Sequence, residues 1–219
     1  MNRRYGCPRC GAPVSSLDRP GPPAVDAASR DLWWCEADGL VDPLMPAVEP
    51  SVHVLLDHLT TSPYPTWLPW PLPEGWSVAG VTSAGITRRT ASVVALSGPD
   101  PLGGPGDLLV VCEDPGTGLG CRLAGVAGPD PGPEIRPTEP HTRVQVDGHA
   151  TPLWWVGSPR DRDVLVGEAG GRWLWLVAYP ATSGVLVHDR WQLVDLHDLV
   201  SELELVPLTG LCGRLLGVA

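Results

Sequence analysis

Cys7-Pro8-Arg9-Cys10-Gly11 sets two thiols three positions apart with a glycine directly after the second. That spacing forms a knuckle, in which backbone N–H groups turn toward the sulfurs while both thiolates bind one tetrahedral ion, usually zinc. Trp34-Cys35-Glu36-Ala37-Asp38-Gly39 repeats the pattern as CxxDG, with 24 residues between Cys10 and Cys35. The echo makes Cys7, Cys10, Cys35 and Asp38 the candidate metal ligands. Asp38 is an uncommon partner for three thiolates; its carboxylate oxygen can bind zinc, and His53, another distant residue or water are the alternatives at that position. Reading Cys7 and Cys10 as ordinary thiols leaves the echo unexplained. A catalytic zinc keeps a water in a cleft, whereas a site on a short segment with a Pro-rich loop fits structural zinc, where the metal stands in for a missing core.

The other chemistry-bearing residues lack such spacing. Ser97–Asp107 (SGPDPLGGPGD) has the glycines of an anion nest, but its prolines remove donors, two Asp repel anions and no basic residue is present, so it reads as a strand-connecting turn. Gly128–Pro133 reads the same way. Cys112, Cys121 and Cys212 are expected to be buried and inert. His188-Asp189 and Asp195-x-His197-Asp198 place imidazoles beside carboxylates, which is general-base or ligand chemistry if a cleft gathers them and surface polarity otherwise. Arg160–Asp163 reads as a solvated charged turn. There is no GxSxG, HExxH or GxGxxG motif, and all 15 basic residues are Arg. Without Lys the chain cannot be a P-loop NTPase, a protein kinase or a pyridoxal-phosphate enzyme.

The elements that must position these groups are mostly strands. With 26 Gly and 26 Pro among 219 residues the chain approaches low-complexity composition, but 10 Trp argue for a packed core. Three parts are expected: a zinc-ribbon module over 1–46, a short helix and Trp/Pro-rich connector over 47–75, and a β-rich domain over 76–219. Val52, Leu55, Leu56 and Leu59 have the spacing of a short amphipathic helix with Ser51 as N-cap. Residues 63–76 (PYPTWLPWPLPEGW) exclude helix and central strand, so Trp67, Trp70 and Trp76 read as anchors of an extended connector; a polyproline ligand for an SH3-type domain is the alternative. From Trp76, apolar runs alternate with Gly/Pro turns: Trp76–Val81, Ala91–Ser97, Leu108–Glu113, Gly120–Val126, Arg143–Val146, Leu153–Gly157, Val164–Gly167, Trp173–Tyr179, Gly184–His188 and Trp191–Leu196. Their spacing predicts a mainly β fold, an antiparallel sandwich or barrel-like domain with minor helix. A helical turn is expected over Asp195–Val200, a last strand at Leu203 and Leu205, a turn over Leu208–Leu216, and a mobile loop over about residues 15–31.

The start shows no apolar core of a secretory signal and no apolar run is long enough for a membrane span, so the expected compartment is the cytoplasm. A net charge of −10 argues against nucleic acid and anionic membranes as partners. The phrases CPRCG, WWCEADG, WLPWPLPEGW, SGPDPLGGPGDLL and AGPDPGP resemble an uncharacterised actinobacterial family that opens with a zinc ribbon. The resemblance covers nearly the whole chain and implies a Cys₃His site with His at the position Asp38 holds here. It brings no established activity, and a phosphate acetyltransferase label on some relatives finds no supporting residues. The expected role is a non-catalytic, zinc-containing protein-interaction or assembly factor. The alternatives are a hydrolase or acyl transferase built on the 97–107 loop with Cys112, His188 or His197, and a zinc-ribbon regulator associated with nucleic acid.

Overall fold

A computed structural model describes residues 5–17, 32–61, 63–132, 135, 139–157, 159–187 and 191–216. The N-terminal part forms a three-stranded sheet, β1 (Ser15–Ser16), β2 (Trp33–Cys35) and β3 (Gly39–Val41), in that order. Ser15 and Ser16 thus pair with Trp34 and Trp33. Pairing replaces the mobile loop expected there, and 18–31, with its Pro20–Pro23 run, lies outside the described residues.

All other strands join one curled sheet of nine. They are β4 (Trp67–Pro69), β5 (Ser77–Ala84), β6 (Ala91–Pro99), β7 (Pro105–Glu113), β8 (Thr142–Val146), β9 (His149–Trp155), β10 (Asp163–Ala169), β11 (Arg172–Tyr179) and β12 (Gln192–Asp195), in the spatial order β4-β12-β8-β9-β10-β11-β7-β6-β5. The mainly β expectation holds. One pair departs from the antiparallel pattern: β12 runs parallel to β8, because the chain reaches it from β11 by a long connection rather than a hairpin.

The sheet turns its corner at β9, whose first residues pair with β8 and whose last, Trp154 and Trp155, pair with β10. A strand that changes partners part-way joins two layers. Pro152 sits at the change and has no N–H to donate. Opposite it, a Cβ on Gly167 would lie 2.3 Å from the Pro152 carbonyl oxygen, so glycine permits the approach. The curl brings Leu68, Val144 and Leu193 into one core with Val94, Leu96 and Leu176. Helix α1 (Val52–Thr60) closes this core with Leu55 and Leu59, and Ser51 caps it by accepting a hydrogen bond from the Val54 N–H at 3.2 Å. The Trp/Pro connector behaves as a pinned segment. Trp67 is buried and donates to Asp147 at 3.0 Å, while a Cβ on Gly98 would fall 2.4 Å from the Trp76 ring that covers it.

Three expectations change on the outer face and at the C-terminal end. Gly120–Val126 is not a strand; α2 (Leu119–Ala124) occupies it, bounded by Gly118 and Gly125 at φ 84° and 72°. Gly184 belongs to a 3₁₀ helix, Ala181–Leu186, and Leu203 and Leu205 to another, Leu196–Leu205, which extends the predicted turn. A short α3 (Gly213–Leu216) ends the described chain, so helices outnumber the single one expected. None is long and apolar enough to cross a membrane.

Glu113, fully buried at the end of β7, holds α2 in place. Its carboxylate accepts hydrogen bonds from the Leu119 N–H at 2.8 Å and the Trp175 indole N–H at 2.7 Å. Burial pushes its carboxyl from 4.5 up to about 7, against the pull of the Gly120, Leu119 and Trp175 donors. The folded state therefore binds this proton more tightly than the unfolded chain does. Its stabilising effect is complete below about pH 4.5 and is lost as the pH rises through about 7, a change on the order of 3 kcal/mol. Urea unfolding of the wild type and Glu113→Gln across that interval should show the dependence in the first and its loss in the second.

Candidate metal centre

Two tight turns carry the four predicted ligands. In the first, the Cys7 sulfur accepts from the backbone N–H groups of Cys10 and Arg9, and the Gly11 N–H returns to the Cys7 carbonyl at 2.9 Å. In the second, the β2–β3 hairpin, the Cys35 sulfur accepts from the Asp38 and Ala37 N–H groups. Gly11 and Gly39 both adopt left-handed backbone, at φ 80° and 74°. That explains the glycine in each half of the echo, since a side chain there would be strained.

The turns face each other. One ligand atom from each of Cys7, Cys10, Cys35 and Asp38 lies within 4.8 Å of the other three. Asp38 Oδ2 is 3.2 Å from Cys7 Sγ and 3.6 Å from Cys35 Sγ, and the Cys10 and Cys35 sulfurs are 3.4 Å apart. A tetrahedral ion with bonds of about 2.3 Å to sulfur sets its ligands roughly 3.8 Å apart, so the donor set fits one ion with small adjustment. His53 is exposed on α1 and is not in this group.

The electrostatics are those of crowded acids. Burial pushes the Cys7 thiol up to about 12, with Asp38 and Cys10 adding to the rise. Cys10 is raised by burial and by Asp38. Cys35 is also buried, but the N–H groups at Asp38 and Ala37 and the other thiols hold it below its ordinary value. Hydrogen bonding from Cys10 and the other thiols, helped by the Arg9 charge, keeps Asp38 ionised against its own burial. A divalent cation relieves this competition by replacing shared protons. Among the described residues the module's buried apolar cluster is small, Cys7, Cys35 and Val41 with Val14 against it.

Two arginines tie the first knuckle to the large sheet, and sequence reading assigned neither. Arg122 on α2 donates from Nε to the Pro8 carbonyl at 2.8 Å, close enough to Cys7 and Cys10 for their charges to favour its protonated form against burial. Arg9 donates from Nη2 to the Gly116 carbonyl at 2.8 Å. Backbone pairs Met45–Ser83 and Gly85–Pro43 continue the junction. Only the fold brings residue 8 to residue 122, so no local pattern announces these contacts.

The enzyme constellation does not assemble among the described residues. Ser97–Asp107 closes the β6–β7 hairpin, where Asp100 accepts from the Ser183 and Thr182 hydroxyls at 2.7 and 2.9 Å. Cys112 lies at the opposite end of β7, about 23 Å away at the rise of an extended strand. Burial pushes its thiol up, and Asp195, the 2.7 Å partner of His197, adds to the rise from the same end. Cys121 and Cys212 are buried, and His188 and Asp189 lie outside the described residues. Arg162 is less solvated than expected, since it donates to the Leu123 carbonyl at 2.8 Å and sits over the Tyr179 ring.

These features define a β-rich protein with an N-terminal Cys₃Asp cluster close enough to hold a metal ion. A family model described as a family of unknown function (DUF6758) matches residues 1–215, and the chain belongs to that family. No curated protein and no solved structure matches it.

Proposed function

We propose that Cys7, Cys10, Cys35 and Asp38 hold one structural zinc ion, and that the protein is a non-catalytic protein-interaction or assembly factor of the bacterial cytoplasm. The convergence of four ligand atoms on two glycine-closed turns carries the metal reading. Softness of the donors favours zinc over calcium or magnesium, which prefer oxygen. Residues 1–46, 47–75 and 76–219 then act as metal module, pinned connector and β domain. An interaction role draws support from Trp34 and Leu40, a cross-strand pair of the ribbon exposed to 43% and 54%. The net charge of −10 favours a protein partner over nucleic acid or membrane.

Metal analysis of the purified chain tests the proposal. About one zinc per chain is expected, with Asp38→Ala holding it at least tenfold more weakly and Asp38→Cys more tightly than wild type, because a thiolate is the softer donor. Zinc far below one per chain in the wild type overturns the metal assignment.

A further inference from the structure

The four residues of the candidate metal centre do not meet solvent equally. Cys7 and Cys35 are fully buried, whereas Cys10 is exposed. The Cys10 sulfur lies 3.4 Å from that of Cys35, closer than the roughly 3.8 Å at which a tetrahedral ion holds two thiolates. The pair spans the two turns, 25 positions apart in the chain. Two guanidinium groups flank the first turn. Arg9 directly precedes Cys10, and Arg122 Nη1 packs so closely on Gly11 that a Cβ there would lie 2.7 Å from it. A thiolate that is open to solvent and flanked by cations is the one an oxidant reaches first. Cys112, Cys121 and Cys212 are buried and offer no such access.

We propose that Cys10 and Cys35 form a peroxide-sensitive pair, which hydrogen peroxide oxidises to a disulfide, expelling the zinc. The inference rests on the zinc reading, since a bound ion keeps both sulfurs as thiolates. The Cys10 thiolate attacks one peroxide oxygen: an S–O bond forms, the O–O bond breaks, and the second oxygen leaves as hydroxide, which takes up a proton. The Cys35 thiolate then attacks the Cys10 sulfur. An S–S bond forms as the S–O bond breaks, and the departing hydroxide takes a second proton. The two thiolates thereby lose two electrons to the peroxide, which ends as two waters. Cys7 and Asp38 remain, one thiolate and one carboxylate, too few donors to retain the ion. Asp38 adds to the release, because a carboxylate is a harder partner for zinc than a fourth thiolate. The disulfide meanwhile ties together the two turns that the ion had joined, so reduction can restore the site.

Hydrogen peroxide treatment of the purified, zinc-loaded full chain tests it. Zinc release is followed with a chromogenic chelator, and the thiols are mapped by alkylation and peptide mass analysis. Loss of about one zinc per chain is expected, with Cys10–Cys35 as the main disulfide and Cys112, Cys121 and Cys212 recovered as free thiols. A phosphine reductant followed by added zinc should restore the starting content. Cys10→His keeps a zinc ligand but removes the exposed thiolate, and should slow peroxide-driven release by about tenfold or more. Disulfide mapping of the wild type needs no variant, so it decides the pairing even where Cys10→His holds zinc poorly. Zinc missing from the wild type before oxidation overturns the metal reading and this proposal together. Zinc that is present at the start but stays bound in peroxide, leaves without a disulfide, or leaves with Cys7 in the main disulfide overturns this proposal alone. So does release from a zinc-loaded Cys10→His chain at the wild-type rate.

Discussion

Cys35→Ser is expected to lower bound zinc from about one to below about 0.1 per chain and to unravel the ribbon while the nine-stranded sheet persists. The serine hydroxyl stays protonated at neutral pH and is a poor zinc ligand, so the site keeps two thiolates and one carboxylate. Among the described residues the module's own reserve is small: its buried apolar cluster is Cys7, Cys35 and Val41, and two of those three are candidate ligands. Structural zinc contributes roughly 10–16 kcal/mol of apparent binding energy in small zinc modules, more than a cluster of this size supplies by burial. Hydrogen exchange should therefore become fast over residues 6–16 and 33–41 and stay slow in β6, β7 and β11, the sheet's buried middle. Chelation of the wild type should reproduce the pattern. Unchanged zinc content, or unchanged protection of the Gly6–Leu44 backbone pair, would contradict the reading of the metal as a substitute for a core.

What the sequence revealed of this site was what lies in local spacing. A knuckle needs two ligands three residues apart and a residue free to adopt positive φ after them, and both conditions are written consecutively at Cys7–Gly11 and Cys35–Gly39. Helix α1 was legible for the same reason, since its buried Leu55 and Leu59 repeat at helical spacing behind a Ser cap. Long hairpins such as β6–β7 announce themselves as apolar runs around a Gly/Pro turn. The residues that fasten the knuckle to the rest of the molecule were not legible. Arg9, Arg122 and the carbonyls they reach are separated by more than 100 positions, and arginine at a surface turn looks the same whether it is solvated or docked. The misread strand at Gly120–Val126 has a related cause. The helix that forms there, Leu119–Ala124, is six residues long with Arg122 its only charged side chain, a short run that suits either element, and the choice is made by Glu113 and Trp175, which the fold places against the segment.

Trp175→Ala is expected to destabilise the protein by about 4–5 kcal/mol, the largest effect of any single substitution in the β domain. Trp175 is fully buried in a second apolar core, with Val93, Val111 and Leu119. Emptying the site removes its area and leaves a cavity that the strands of a long, paired β11 cannot close. The second contribution is electrostatic. The indole N–H is one of three donors to the buried Glu113 carboxylate, with the Leu119 and Gly120 N–H groups, and the variant loses it without replacement. Trp175→Phe separates the two, keeping most of the packing while removing the donor, and should cost about 1–3 kcal/mol. From the other side, Gly120→Val should behave like the alanine variant without touching Trp175, because a Cβ at residue 120 would sit 2.1 Å from the indole nitrogen and force α2 off the sheet. Since α2 carries the Arg122 that holds the Pro8 carbonyl, displacing it should also speed zinc exchange. Denaturant unfolding gives the stabilities, and competition with a chromogenic chelator gives the exchange rate. A Gly120→Val chain that is destabilised yet exchanges zinc at the wild-type rate would show that the Arg122 contact does not steady the knuckle.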